Sequence, residues 1–362
     1  MVDKTTEQVP QNPYVDLPQN AFWKTGVADN SAFDIQGLWS PKFRVLPRHK
    51  IVTAGSCFAQ HIGRALAGRG YGWFDAEPAP EHLSPENCKR FNYGVFSFRT
   101  GNIYTAKALR QWMEWAFGVV DVPTEVWEKD GRFYDPFRPA IEPNGFESAD
   151  EVQKSRAVTL AALRLAVEQS NFFVFTMGLT ESWQNAEHGF EYAMCPGTLA
   201  GRFDPEKHIF HNHRFSEIMT DLKAAIRLMR SKNDDLRFLL TISPVPLTAT
   251  ATGGHVLTAT VHSKSTLRAV AGELAADHRK VDYFPSYEII TGIPYRSMFF
   301  EPNLRSVSPN GVALVMDNFF ADQEATFGPV KPPKKKAVQR EPGKKHQDDI
   351  VCEEEMLNAF AS

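Results

Sequence analysis

Residues 49–63 read "HKIVTAGSCFAQHIG", and the fold turns on how this stretch is read. Ile51, Val52 and Thr53 form a short β-branched run that stops at Gly55. From Cys57 onward, "CFAQHIGRALAGRG" has the makings of a helix that glycine ends. Ser56 and Cys57 therefore stand side by side at a strand-to-helix turn. Backbone N–H groups at a helix entry point outward and the helix dipole favours negative charge, so an oxyanion or a thiolate is stabilised there. The plain alternative makes Ser56 an N-cap and Cys57 a small buried residue.

Working outward, the same alternation recurs. "AVTLAALRLAVEQS" has helical period and precedes "NFFVFTMG", an apolar run too short for a buried helix. Ser216 is placed to cap "EIMTDLKAAIRLMRSK", in which Ile218, Leu222, Ile226 and Met229 share one face. "LRFLLTISPVP" reads as the next strand, and "HSKSTLRAVAGELAADH" as a helix with Leu267, Val270, Ala271 and Leu274 inward. "VDYFPSYEI" reads as a further strand, and "SPNGVALVMDNFF" opens with Ser308 as N-cap and Pro309 at the first helical position. Strands alternating with amphipathic helices give right-handed βαβ units. The expected fold is therefore α/β, a three-layer α/β/α sandwich with a mainly parallel sheet. Ligands in such sheets sit beyond the carboxyl ends of the strands, which selects "GSCF", "GLTESW", "SPVPLTATATGGH" and "FPSYE".

Composition bounds the function. The 362 residues are 43% hydrophobic and 23% charged, ordinary for a globular chain that needs no metal or disulfide to fold. A net charge of -3 gives no reason to expect nucleic acid. Four scattered cysteines, with no CxxC pair, suit a reducing compartment. No apolar run approaches the roughly 18 residues of a spanning helix, and the start of the chain has no apolar leader, so a cytoplasmic address is expected. Residues 1–20 read as an extension, residues 21–326 as the domain, and residues 327–362 as a disordered charged tail. Within that tail, "EEEMLNAF" has the pattern of a short amphipathic turn for docking on a protein partner.

Several residues carry possible chemistry. Thr180 and Glu181 follow the second strand; Glu181 could orient a base or bind a sugar hydroxyl, and Trp183 could stack on a sugar ring. An N-cap, a first-turn carboxylate and a core tryptophan are the structural equivalents. Residues 244–260 form a loop longer than the roughly 12 residues usual in compact domains, and His255 in it is the histidine best placed to reach the crevice as a base. "KHIFHNHR" gathers His208, His211 and His213, but no carboxylate pattern completes a zinc motif, so a loop is expected and no metal or cofactor. GxxxxGK[ST], GxGxxG and GxSxG do not occur.

The chain resembles the GSCFA domain family, whose pentapeptide stands here at Gly55–Ala59. "IGRAL", "YGVFSFRTGNIYT", "GLTESW", "ISPVP", "SKSTLRAV", "YFPSYEI" and "FFEPNLRSVSPNGV" follow in order, covering roughly residues 35–320. The resemblance implies kinship with the SGNH/GDSL hydrolases, whose α/β/α fold hosts esterases and acyltransferases, many acting on carbohydrates and often linked to bacterial surface polysaccharide. Carried over position by position, it implies Ser56 or Cys57 as nucleophile and Gly94 or Gly101 as an oxyanion donor. Thr180 stands where that superfamily has an asparagine. The DxxH that supplies acid and base corresponds to "EPNLRSVSP", with Asn303 and Ser306 in those places, and no histidine here has Asp or Glu three residues before it. His255 is then the substitute base, or the domain binds without hydrolysing.

The expectation is an esterase or O-acyltransferase on a carbohydrate or other hydroxylated ester, with Ser56 attacking, His255 as base, and Glu181 orienting it. Gly94 or Gly101, with Thr180, would hold the oxyanion. A non-catalytic glycan-binding or scaffold protein using Trp183 and the basic tail is the alternative; a metal-dependent hydrolase through His208, His211 and His213 is a third.

Overall fold

The computed structural model describes residues 12–330 and 350–361. In chain order the first half carries β1 (Lys50–Gly55), α1 (Phe58–Gly68), β2 (Gly72–Trp73), α2 (Pro85–Arg90), α3 (Ala106–Ala116), β3 (Trp127–Lys129), β4 (Arg132–Tyr134) and α4 (Ala149–Gln169). The second half carries β5 (Phe172–Met177), β6 (Glu181–Asn185), β7 (Glu191–Tyr192), β8 (His208–Asn212), α5 (Phe215–Lys232), β9 (Arg237–Ile242), α6 (Val256–Asp277), β10 (Val281–Tyr283), α7 (Ser286–Thr291) and α8 (Pro309–Phe327).

The central sheet has five strands in the order β10-β9-β5-β1-β2, all parallel, in register at Ile51↔Phe172, Gly55↔Thr176 and Met177↔Ile242. Side chains alternate across a strand, so an all-apolar strand must be covered on both faces. Val52, Phe173, Phe175, Phe238 and Leu240 pack on one face with Leu109 and Trp112 of α3, Leu163 of α4, Leu222 of α5 and Leu267 of α6. Ile51, Phe172, Val174 and Leu239 pack on the other with Phe58 and Ile62 of α1, Ile289 of α7, and Val315 and Phe319 of α8. The result is a three-layer α/β/α sandwich, as the alternation of strands and helices implies. Among the described residues no helix is long and apolar enough to cross a membrane.

Ser308 caps α8, its Oγ accepting from Gly311 N at 3.2 Å, with Pro309 next, as expected. Other local expectations are corrected. Helix α5 starts at Phe215 with Arg214 at the cap position, because the Glu217 carboxylate accepts from Arg214 N at 2.7 Å; Ser216 lies inside the helix. The strand read over "VDYFPSYEI" ends at Tyr283, and "SYEIIT" forms α7 with Ser286 buried against β9, its Oγ donating to Ile242 O. "KHIFHNHR" is not a loop: its residues 208–212 are β8, paired antiparallel with β6, which begins within "GLTESW" at Glu181. With β7 these strands make a small sheet beyond the carboxyl end of β5.

Of the two extensions, residues 1–11, 331–349 and 362 lie outside the described residues. Residues 350–361 pack on the body instead of standing free, with a 3-10 helix over Glu353–Phe360 and Glu353 buried.

Candidate active site

The turn after β1 is forced by a close approach. Gly55 has φ +126°, and a Cβ there would lie 2.2 Å from Thr176 O on β5, so only glycine fits. Ser56 N then donates to Thr176 O at 2.9 Å. Ser56 is buried; its Oγ accepts from Phe58 N at 3.4 Å, and its Cβ abuts Gly178, where an added Cβ would be 3.2 Å away. Cys57 stands at the cap position of α1, in helical conformation, and makes no capping bond.

A strap, Gly101–Thr105, crosses the carboxyl ends of β1 and β5. Ile103 N donates to Gly55 O at 2.8 Å, while Gly178 N and Leu179 N donate to Tyr104 O at 2.9 and 3.1 Å. Gly101 takes φ +71°, and with Asn102 and Tyr104 it faces the crevice above Cys57. From the opposite wall, α6 contributes Ser263, whose Oγ accepts from Thr180 N at 3.1 Å, and Lys264, whose Nζ donates to Gly178 O at 2.6 Å. Lys264 is almost wholly buried, and burial brings its ammonium pKa down to about 8. The negative charge of Glu354, on the far side of the same crevice, acts against that fall.

Residues 350–355 run through it. Buried Gln60 of α1 holds both polar groups of Val351, donating from Nε2 to its carbonyl at 2.7 Å and accepting from its N–H at 3.1 Å. Asn102 Nδ2 donates to the same carbonyl at 2.9 Å. The Glu353 carboxylate accepts from Asn102 N at 3.4 Å, from Asn102 Nδ2 and from Tyr104 OH at 3.1 Å. Arg305 donates to Glu354 and Glu355 at 3.2 Å each, and its guanidinium lies 3.7 Å from Cys352 Sγ. The Cys57 thiol donates to Cys352; that bond, burial and nearby negative charge push its pKa well up. Accepting the same bond, and facing Arg305, Cys352 is moved down. Burial pushes Glu353 and Glu354 upward, and the charges of Arg305 and Lys264 oppose the rise at Glu354.

Beside this crevice opens a cavity of about 480 Å³, walled largely by apolar groups that include Tyr104, Leu179, Trp183, Tyr192, Leu357 and Phe360. Trp183 packs edge-on to Phe203, leaving its ring as part of the wall.

The structure thus brings Ser56, Cys57, Gly101 and Thr180 to one crevice, with Trp183 and Glu181 on the adjoining cavity. The Thr180 hydroxyl is buried and has no partner among the described residues. Glu181 anchors the long loop after β9, accepting from Thr250 Oγ1 at 2.7 Å and Ala251 N at 3.2 Å. Gly94 is exposed, with nothing within 4 Å of where its Cβ would be. His255 is exposed at the cap of α6, where its Nδ1 accepts from Leu257 N at 3.1 Å. Among the described residues no imidazole is hydrogen-bonded to Ser56 or Cys57. Asn303 Nδ2 donates to Ser306 Oγ at 3.0 Å in an exposed turn, and Arg305 between them is the side chain that reaches the crevice.

The histidine cluster divides. His208 Nδ1 accepts from Asp204 N, whereas His211 and His213 approach Glu217 of α5 closely enough to share a cation. Ser182, His213 and Glu191 look like a triad but are not wired as one: both contacts, 3.1 and 3.0 Å, fall on His213 Nε2. A relay needs the two ring nitrogens on opposite partners.

Sequence reading missed Asn102, Tyr104, Lys264 and Arg305. Lys264 left a legible trace, because it lies three and seven residues before Leu267 and Ala271 on the apolar face of α6, where a solvated lysine does not belong. Asn102 follows directly on the left-handed Gly101, and Arg305 stands between Asn303 and Ser306. No curated protein and no solved structure matches the chain. The GSCFA family model matches residues 50–319, from the first residue of β1 into α8, and the chain belongs to the GSCFA family.

Proposed function

We propose that the crevice carries out acyl transfer, as an esterase or O-acyltransferase of the SGNH type acting on an ester of a carbohydrate or other hydroxylated compound, with the nucleophile drawn from Ser56 and Cys57. The observation that carries this is the meeting of that pair, at the entry of α1, with the buried amine of Lys264. Two features favour Cys57 as the attacking group. Ser56 Oγ is turned inward to Phe58 N, whereas the Cys57 thiol faces charged groups across the crevice. Lys264, with a pKa near 8, is suited to take a proton once pH approaches 8, the part assigned to His255 from sequence.

In this reading Cys57 passes its proton to Lys264 and its sulfur attacks the ester carbonyl. The oxyanion is met by N–H groups at the start of α1 and by Asn102, with the Thr180 hydroxyl as a further donor. The C–O bond breaks, and the leaving alkoxide takes the proton from Lys264. Water or an acceptor hydroxyl then displaces the sulfur and restores the thiol. The cavity beside Trp183 suits a sugar ring or an acyl group.

The test is acylation by p-nitrophenyl acetate, with the adduct mapped by peptide mass. The expected adduct is on Cys57, lost in Cys57→Ala, retained in Ser56→Ala, and formed about 100-fold more slowly in Lys264→Met. An adduct lost only in Ser56→Ala moves the nucleophile to serine. No adduct in any form, with oligosaccharide binding intact, leaves the glycan-binding alternative.

A further inference from the structure

The way residues 350–355 are held is unlike packing of a loose end against a surface. Gln60 is buried, and its carboxamide reads the N–H and C=O of one residue, as a neighbouring strand would. Asn102, also buried, makes a further bond to that carbonyl. Two carboxylates beyond it find separate receptors. Glu353 enters a nest of Asn102 N–H, Asn102 carboxamide and Tyr104 hydroxyl, with the bare Cα of Gly101 leaving room for it. Glu354 lies against Arg305 and within the field of Lys264.

We propose that the crevice is a binding site for an acidic peptide of the form Val-Cys-Glu-Glu, whose two glutamates open a 3-10 turn, and that the chain's own residues 351–354 fill it in cis and shut off Cys57. The closing-off rests on the reading of Cys57 as the reactive group; the peptide site itself rests only on the contacts just given. Sequence recognition is divided between the backbone clamp at Gln60 and the two carboxylate receptors. Covalent attachment makes the docking intramolecular, so a modest intrinsic affinity suffices to keep the crevice filled. The contact also silences chemically: the Cys57 thiol donates to Cys352, and the Glu354 carboxylate stands within its field, so the docked segment holds Cys57 protonated. Release would expose the thiol to Arg305 and Lys264 without that opposing charge.

The test follows alkylation of Cys57 by iodoacetamide in the full-length chain, with Cys57 and Cys352 distinguished by peptide mass. Glu353→Gln/Glu354→Gln should speed Cys57 alkylation at least about ten-fold, with circular dichroism unchanged. Adding a synthetic peptide of residues 350–361 to this variant should restore protection, and the same peptide with Gln at both positions should not. Arg305→Gln should also speed alkylation and should weaken protection by the added peptide. Equal alkylation rates in the wild-type and double-variant chains would overturn the proposal, as would protection that ignores the two carboxylates. Neither readout depends on turnover, so a chain that alkylates as expected yet never acylates would reject the proposed reaction and keep the peptide site.

Discussion

At the scale of single residues, Gly55 and Lys264 show how geometry and burial prepare the crevice. Gly55→Ala sets a methyl against Thr176 O in a left-handed conformation, with no flexible side chain to give way. The expected loss is on the order of 3 kcal/mol in urea unfolding, with the turn displaced and acylation lost together. Lys264 has a signed effect on stability. Its pKa is about 8 in the folded chain against 10.5 ordinarily, mainly through burial. Between those values the unfolded chain still binds a proton that the folded chain has released, so stability rises with pH across that window. Below about 8 both states are protonated and the cost of burying the ammonium is fully present. Lys264→Met should flatten the rise in urea unfolding measured below pH about 8 and near pH about 10, and it should keep its fold while losing acylation. A Met variant that unfolds outright would instead make Lys264 a structural residue.

At the scale of elements, the strap over the crevice is held from behind by buried charge. Asp135, just after β4, pairs with Arg138 and Arg156 at 2.8 Å each, all three inaccessible to water. Burial alone would raise the Asp135 carboxyl, but the two guanidiniums outweigh it and hold its pKa below the ordinary value. Arg138 also donates to Arg99 O at 3.3 Å and Thr159 Oγ1 at 2.6 Å, tying α4 to the segment that leads into Gly101 and Asn102. Asp135→Asn leaves two buried cations short of a counter-charge. It should cost about 3–5 kcal/mol in urea unfolding. In the wild-type chain the contribution of this carboxylate is present at neutral pH and lost as pH falls through its depressed pKa. Elements also explain which local readings failed. Ser216 looked like a cap because serine commonly caps, yet Glu217 satisfies the Arg214 N–H from within the first turn. Residues 208–212 carry no strand pattern strong enough to stand alone; their pairing with β6 makes them β8.

At the scale of the whole molecule, the parallel sheet was legible because four apolar runs and the amphipathic helices between them leave few ways to bury both faces. The same reasoning located the functional edge, since every strand of the sheet ends on one side; "GSCF" and "GLTESW" come together there and the loop after β9 is tied to Glu181, while "FPSYE" instead opens α7 against β9. The place of Ser56 and Cys57 at a tight turn was equally local, set by Gly55 and the helix after it. What only the tertiary structure decided is which distant groups complete that turn. Asn102 and Tyr104 arrive by a strap hydrogen-bonded to β1 and β5, Lys264 by the inward face of α6, and Arg305 from the turn before α8. The acidic segment at 350–355 comes from some 290 residues beyond Gln60, which grips it. Spacing in a sequence reports neighbours within a helix turn or a strand pair, because those contacts follow from backbone geometry. Contacts across the crevice depend on where whole elements pack, and on Gln60, Arg305 and two carboxylates finding partners that no local pattern links.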